Sequence, residues 1–135
     1  MSLFRNRELQ KVSDFSGLKW GKVYPTDIDA FMDINDDLFV FVETKYDGAR
    51  VPYGQKLALE RLTDATNIPP SRMSVCLIAS HNDEGDIDMG AATVTEYRFN
   101  GSWREPSRKT TVRQAVEIFL VKMEEMVKSR LTVFK

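Results

Sequence analysis

The chain is patterned as short apolar runs separated by polar breaks. Ala30-Phe31-Met32-Asp33-Ile34 and Leu38-Phe39-Val40-Phe41-Val42 bracket Asn35-Asp36-Asp37, the layout of two strands around a turn. A hairpin centred on Asp36 pairs Ile34 with Leu38 and Phe31 with Phe41. Side chains alternate faces along a strand, so Ala30, Met32, Ile34, Leu38, Val40 and Val42 share one wholly apolar face. A slip of one residue would expose that face, which is what fixes the register. Downstream, Asp47-Gly48 and Pro52 make a turn. Gln55 to about Thr66 reads as a helix with Ala58, Leu59, Leu62 and Ala65 inward, and Pro69-Pro70 stops it. Ser74 to Ala79 is a continuous apolar run typical of a central strand. Strand, helix and strand in this order imply a right-handed crossover between parallel strands.

The remaining segments extend this plan. A first helix is expected from an Asn6 cap to Phe15, with Leu9, Val12 and Phe15 inward and Gly17 ending it. A short strand near Lys22 to Tyr24 leads into the hairpin. Thr93 to Phe99 and Trp103 flank Asn100-Gly101, a strong hairpin signal. Thr111-x-x-Gln114 can form a capping box for a last helix carrying Val112, Ala115, Val116, Phe119, Met123 and Val127 inward. The expectation is one α/β domain over residues 1–135, a mixed central sheet with helices packed on it.

Composition narrows the class. With 42% hydrophobic and 29% charged residues, the chain reads as soluble and globular. No uninterrupted apolar stretch approaches a membrane span, and no signal-peptide pattern opens it. Cys76, the single cysteine, cannot form an internal disulfide and lies in a strand-like run. It reads as core, and a reducing, cytoplasmic setting is expected. The 19 basic and 20 acidic residues nearly cancel, but they cluster. Met73 to Tyr97 contains no Lys or Arg and holds Asp83, Glu84, Asp86, Asp88 and Glu96; Arg98 to Arg113 reverses the balance. A solvated face explains such runs as well as a binding surface does. The acidic loop His81 to Gly90 lacks calcium-loop spacing, and His81 has no histidine partner for zinc chemistry.

The candidate chemistry sits at the end of the second hairpin strand, in Glu43-Thr44-Lys45. Glu43 and Lys45 point the same way in an extended strand, and such charges beside a buried run are costly unless something uses them. The hairpin register places Asp29 opposite Glu43, with directly opposed side chains roughly 5 Å apart. Two carboxylates that close either share a proton or hold a cation, and a hard ion with oxygen ligands, such as magnesium, suits the second option.

Helix, strands, Asp, Glu-x-Lys, helix and strand is a pattern that resembles the PD-(D/E)XK nuclease superfamily, in its restriction-endonuclease-like, exonuclease-like branch, from about residue 6 to residue 79. The resemblance implies an α-β-β-β-α-β core, here followed by a C-terminal hairpin and helix, and magnesium-dependent hydrolysis of DNA phosphodiesters, with manganese as a substitute. It carries the motif Asp to Asp29, the Glu to Glu43 and the Lys to Lys45; Gln55 matches a Gln on the helix after the Lys strand, and Glu8 is the candidate metal-assisting Glu of the first helix. There is no literal Pro-Asp pair, since the chain reads Pro25-Thr26-Asp27, so Asp27 competes with Asp29 for the metal role. The resemblance further implies a possible homodimer, for which Phe119, Met123 and Met126 offer an interface.

Arg50, Lys56 and Arg61 near this site, and Arg98 and Arg104 in the basic stretch, are candidate contacts to DNA phosphates. Trp103 either stacks on bases or packs. Three functions follow in order: a magnesium-dependent deoxyribonuclease, a nucleic-acid-binding module of the same fold without turnover, and a structural or regulatory subunit.

Overall fold

The computed structural model describes residues 14–133. Its elements are β1 (Ala30–Ile34), β2 (Leu38–Tyr46), α1 (Tyr53–Thr66), β3 (Met73–His81), β4 (Thr93–Phe99), β5 (Ser102–Arg104) and α2 (Val112–Val133), with short 3-10 turns at Ser16–Leu18 and Met89–Ala91. The five strands form one sheet in the order β1-β2-β3-β4-β5. Only β2 and β3 are parallel, and α1 is the crossover between them.

The hairpin register is the one the sequence dictates: Ala30 pairs with Val42, Phe31 with Phe41 and Ile34 with Leu38. Asn35 and Asp36 take φ of 54° and 60°, a left-handed conformation that Asn and Asp tolerate better than other side-chain-bearing residues. Asp33 Oδ1 accepts the Asp36 backbone N–H at 2.9 Å, and the Arg72 guanidinium pairs with the Asp36 carboxylate. Two further turns use the same chemistry, at Asp47-Gly48 and at Asn100-Gly101, all with positive φ.

The sheet is covered on both faces. Leu38, Val40, Val42, Val75, Leu77, Ala79 and Val94 pack against Val112, Ala115 and Phe119 of α2. On the other face Phe41 and Cys76 meet Leu59 of α1, with Ile28, Phe39 and Trp103 around them. β3 is buried from Met73 to Ala79, as its apolar run requires. Burial pushes the Cys76 thiol up to about 12, which fits a core cysteine. The capping box forms: Thr111 N–H donates to Gln114 Oε1 at 2.9 Å, and Gln114 N–H donates to Thr111 Oγ1 at 3.1 Å. At the other end of α2, Arg130 donates to Asp37 Oδ1 and to the Ser71 carbonyl, tying the helix to the hairpin turn.

Several expectations are corrected. Of the α-β-β-β-α-β order, the described residues show β-β-α-β. The helix expected from Asn6 lies largely outside the described residues. The strand expected at Lys22–Tyr24 is a tight turn, in which Trp20 and Val23 exchange backbone hydrogen bonds of 2.8 and 2.9 Å around Gly21, a residue with φ of 62°. α1 begins at Tyr53 and buries Leu59 and Thr63, leaving Leu62 and Ala65 exposed. His81 ends β3 and is partly buried, with its ring edge-on to Tyr46. Phe119, Met123 and Met126, offered above as a dimer interface, pack against the core; Phe119 is 5% exposed and meets Phe99 edge-on. Among the described residues no helix is long and apolar enough to cross a membrane.

Candidate functional site

β2 carries two of the site's groups, one buried and one leaving the core. Its first half is held by apolar contacts on both faces, and the burial continues through Glu43, which is only 3% exposed. Two residues on, Lys45 emerges on the same face and its Nζ lies 3.1 Å from Glu43 Oε1. The other carboxylate oxygen, Oε2, is buried with no hydrogen-bond partner among the described residues. An ionised oxygen in that position is an unfavourable arrangement that asks for a ligand or a proton.

Asp29 does not pair across the hairpin as the register alone suggests. It lies one residue before β1, and its Oδ2 accepts the Thr44 backbone N–H at 2.7 Å and the Thr44 hydroxyl at 3.0 Å. That still brings its charge close enough to act on Glu43. Burial pushes the Glu43 carboxyl above the usual carboxylate range. The Lys45 ammonium opposes that shift, the Asp29 charge adds to it, and the Gln55 side chain, close to the carboxylate, lowers it. Gln55, in the first turn of α1, donates from Nε2 to the Asp27 carbonyl at 3.0 Å. Asp27 therefore contributes a backbone carbonyl beside the site, and its side chain is exposed.

The structure thus brings Asp29, Glu43, Lys45 and Gln55 together. Glu8 lies outside the described residues. Among the described residues no group of three His, Cys, Asp or Glu side chains is placed to hold a metal ion. Two carboxylates are present, and the buried Glu43 Oε2, without a hydrogen-bond partner among the described residues, is the atom they would offer a cation.

The candidate phosphate contacts separate into two groups. Arg50 and Lys56 line a cavity of about 600 Å³ with Lys45, and Arg61 lines one of about 460 Å³ with Gln55. Arg98 instead faces inward: its guanidinium donates to both oxygens of Asp64, at 3.0 and 2.6 Å, and lies 3.6 Å from Glu60. Arg104 is exposed, with its Nε donating to Ser102 Oγ at 3.1 Å. Trp103 packs in the α1-side core and donates from Nε1 to Glu60 at 2.9 Å, so the packing alternative is the one observed.

Sequence patterning did not expose three features. One is the Thr44 clamp on Asp29. Another is Lys56, which pairs with Glu96 at 2.7 Å and lies 4.7 Å above the Trp103 ring. The third is a β-bulge in the β3–β4 pairing between Ile78 and Ala79, with Thr95 Oγ1 donating to the Ile78 carbonyl at 3.2 Å. Ile78, Ala79, Thr95 and Glu96 all line the larger cavity, and bulges commonly re-aim side chains beside functional sites. An unbroken strand pattern in Thr93–Phe99 gives no signal of that bulge. No family model matches this chain, and comparison with curated proteins and with solved structures gives no match either.

Proposed function

We propose that this protein is a magnesium-dependent nuclease that hydrolyses DNA phosphodiesters, with the restriction-endonuclease-like plan. The single observation that carries the reading is Glu43: a carboxylate buried to 3% exposure, one oxygen against the Lys45 ammonium and the other without a partner. The charge of Asp29 beside this group adds a second acid, which an isolated ion pair at a strand end does not require.

Asp29 and Glu43 would hold the cation. When bound, it would supply charge neutralisation at the phosphate and a more acidic water. Lys45, whose ammonium lies against Glu43, donates to the phosphoryl oxygens and stabilises charge that builds as the bond breaks. Gln55, anchored on the Asp27 carbonyl, orients a water or phosphate oxygen. Arg50 and Arg61 flank the site and neutralise neighbouring phosphates.

Incubation with linear, nicked and branched DNA, in magnesium and in EDTA, tests the proposal. Glu43→Ala and Lys45→Ala should each reduce cleavage by about a hundredfold or more. Full cleavage by either variant removes this site from the mechanism.

One observation favours a second reading, a nucleic-acid-binding module without turnover. Only two carboxylates converge among the described residues, and Thr44 already occupies one oxygen of Asp29. That module would bind DNA with a steep salt dependence and show no metal-dependent cleavage.

A further inference from the structure

The start of α1 separates two clefts that share Pro52 as a common wall. The larger is lined by Lys45, Arg50, Tyr53 and Lys56, and the smaller by Lys22, Tyr24, Gln55 and Arg61. Lys45 touches Glu43 from the first, and Gln55 stands beside Glu43 from the second. Glu43 itself is buried and lines neither cleft; Lys45 and Gln55 link it to both.

Each cleft holds an exposed tyrosine: Tyr53 is 81% exposed and Tyr24 is 66% exposed. Each also holds an arginine, Arg50 or Arg61, that has no carboxylate partner among the described residues. Lys56, by contrast, is already paired with Glu96. The unit of one aromatic ring and one cation thus occurs twice, once in each cleft. A continuous duplex offers phosphates to such a surface but keeps its base faces sealed in the stack. An unpaired strand offers both, and stacking of bases on aromatic side chains beside a positive groove is how single strands are held without sequence preference.

We propose that the two clefts take an unpaired nucleic-acid strand, with Tyr53 and Tyr24 stacking on bases to either side of the phosphate that meets Lys45, and Arg50 and Arg61 on the flanking phosphates. This rests on the phosphodiester reading of the Glu43 site and adds the strand state of its substrate. The substrate class is therefore a single strand, or the frayed or overhanging end of a duplex.

The test is fluorescence anisotropy of the full chain in EDTA, with a labelled mixed-sequence single strand and with the duplex formed from it and its complement. The wild type should prefer the single strand. Tyr53→Ala and Tyr24→Ala should each weaken single-strand binding by about tenfold, with duplex affinity and the salt slope unchanged. Tyr53→Phe, which keeps the ring, should bind like the wild type. Equal affinity for strand and duplex, equal losses on both, or no loss on either would overturn the inference. Because the readout is binding without metal, it separates from the catalytic reading. A chain that binds single strands through these tyrosines but never cuts would end the nuclease proposal alone. One that cuts duplexes, with the tyrosine variants at full activity, would end this inference alone.

Discussion

Asp29 is fastened to Thr44 by two hydrogen bonds to a single carboxylate oxygen, one from the backbone N–H at 2.7 Å and one from the hydroxyl at 3.0 Å. Thr44 stands between Glu43 and Lys45 in β2. The acid that precedes β1 is thereby tied to the strand bearing the other two charged groups. The hairpin alone does not do this, because strand pairing ends at Ala30 and Val42.

Thr44→Val tests that clamp. The substitution keeps the β-branched shape and the backbone donor and removes one hydrogen bond. Unfolding in urea should show a loss of about 0.5–1.5 kcal/mol. Calorimetric titration with manganese should show weaker binding, because Asp29 is then held by one hydrogen bond instead of two. An unchanged manganese affinity at reduced stability would make the clamp a structural cap and nothing more.

Glu43 makes stability depend on pH with a definite sign. Its carboxyl is raised from the ordinary value of 4.5, chiefly by burial, so the folded state binds the proton more readily than the unfolded chain. Its contribution to stability therefore falls as pH rises from about 4.5 through the raised folded value. Glu43→Gln removes the ionisation and should raise the melting temperature by about 2–5 °C at pH 8, with little change at pH 4. Magnesium should narrow the gap at pH 8 for the wild type and leave the variant unmoved. A variant that melts lower than the wild type at pH 8 would show that the Lys45 pair outweighs the burial of the acid.

The two groups of arginines should behave oppositely. Arg98 is held by Asp64 and Glu60 beneath Trp103, and these partners raise its already high pKa. Arg98→Ala removes charged hydrogen bonds from a side chain that is 12% exposed and should destabilise the fold by about 1–3 kcal/mol. Where the fold persists, nucleic-acid affinity should be unchanged. Arg50→Ala should leave unfolding unchanged while weakening binding and reducing the slope of log affinity against log salt by about one. Reversal of these two outcomes would return Arg98 to the binding surface.

What was legible in the sequence follows the strength of each physical signal. The β1–β2 register was legible because Ala30, Met32, Ile34, Leu38, Val40 and Val42 form one wholly apolar face and Asn35-Asp36 accommodates the turn. The β3 core strand and the capping box at Thr111 were legible for similar local reasons. The pairing of Glu43 with Lys45 followed from period two alone. The Asp29 contact did not, because the reach of a side chain beyond a strand end is set by loop geometry that no periodicity encodes. Arg98 was misleading for a different cause. It opens the basic stretch from residue 98 to 113 in sequence, whereas its neighbours in space, Asp64 and Glu60, come from α1.

The phase of α1 supplies the sharpest contrast between composition and packing. By hydrophobicity, Leu62 belongs inside and Thr63 outside. The helix does the reverse: Thr63 is 1% exposed and Leu62 is 37% exposed. Thr63 can be buried because its hydroxyl donates to the Leu59 carbonyl at 2.7 Å, which removes the penalty of an unsatisfied polar group. Leu59 itself is 1% exposed and packs on Phe41 and Cys76, on the sheet face that also carries Glu43. Leu59→Ala should therefore cost about 2–4 kcal/mol through lost burial and the cavity left behind, whereas Leu62→Ala should cost less than about 1 kcal/mol. Chemical denaturation of the two variants decides between the phases. Equal losses, or a larger loss at Leu62, would rotate α1 and carry Gln55 away from Glu43, dismantling the site along with the packing.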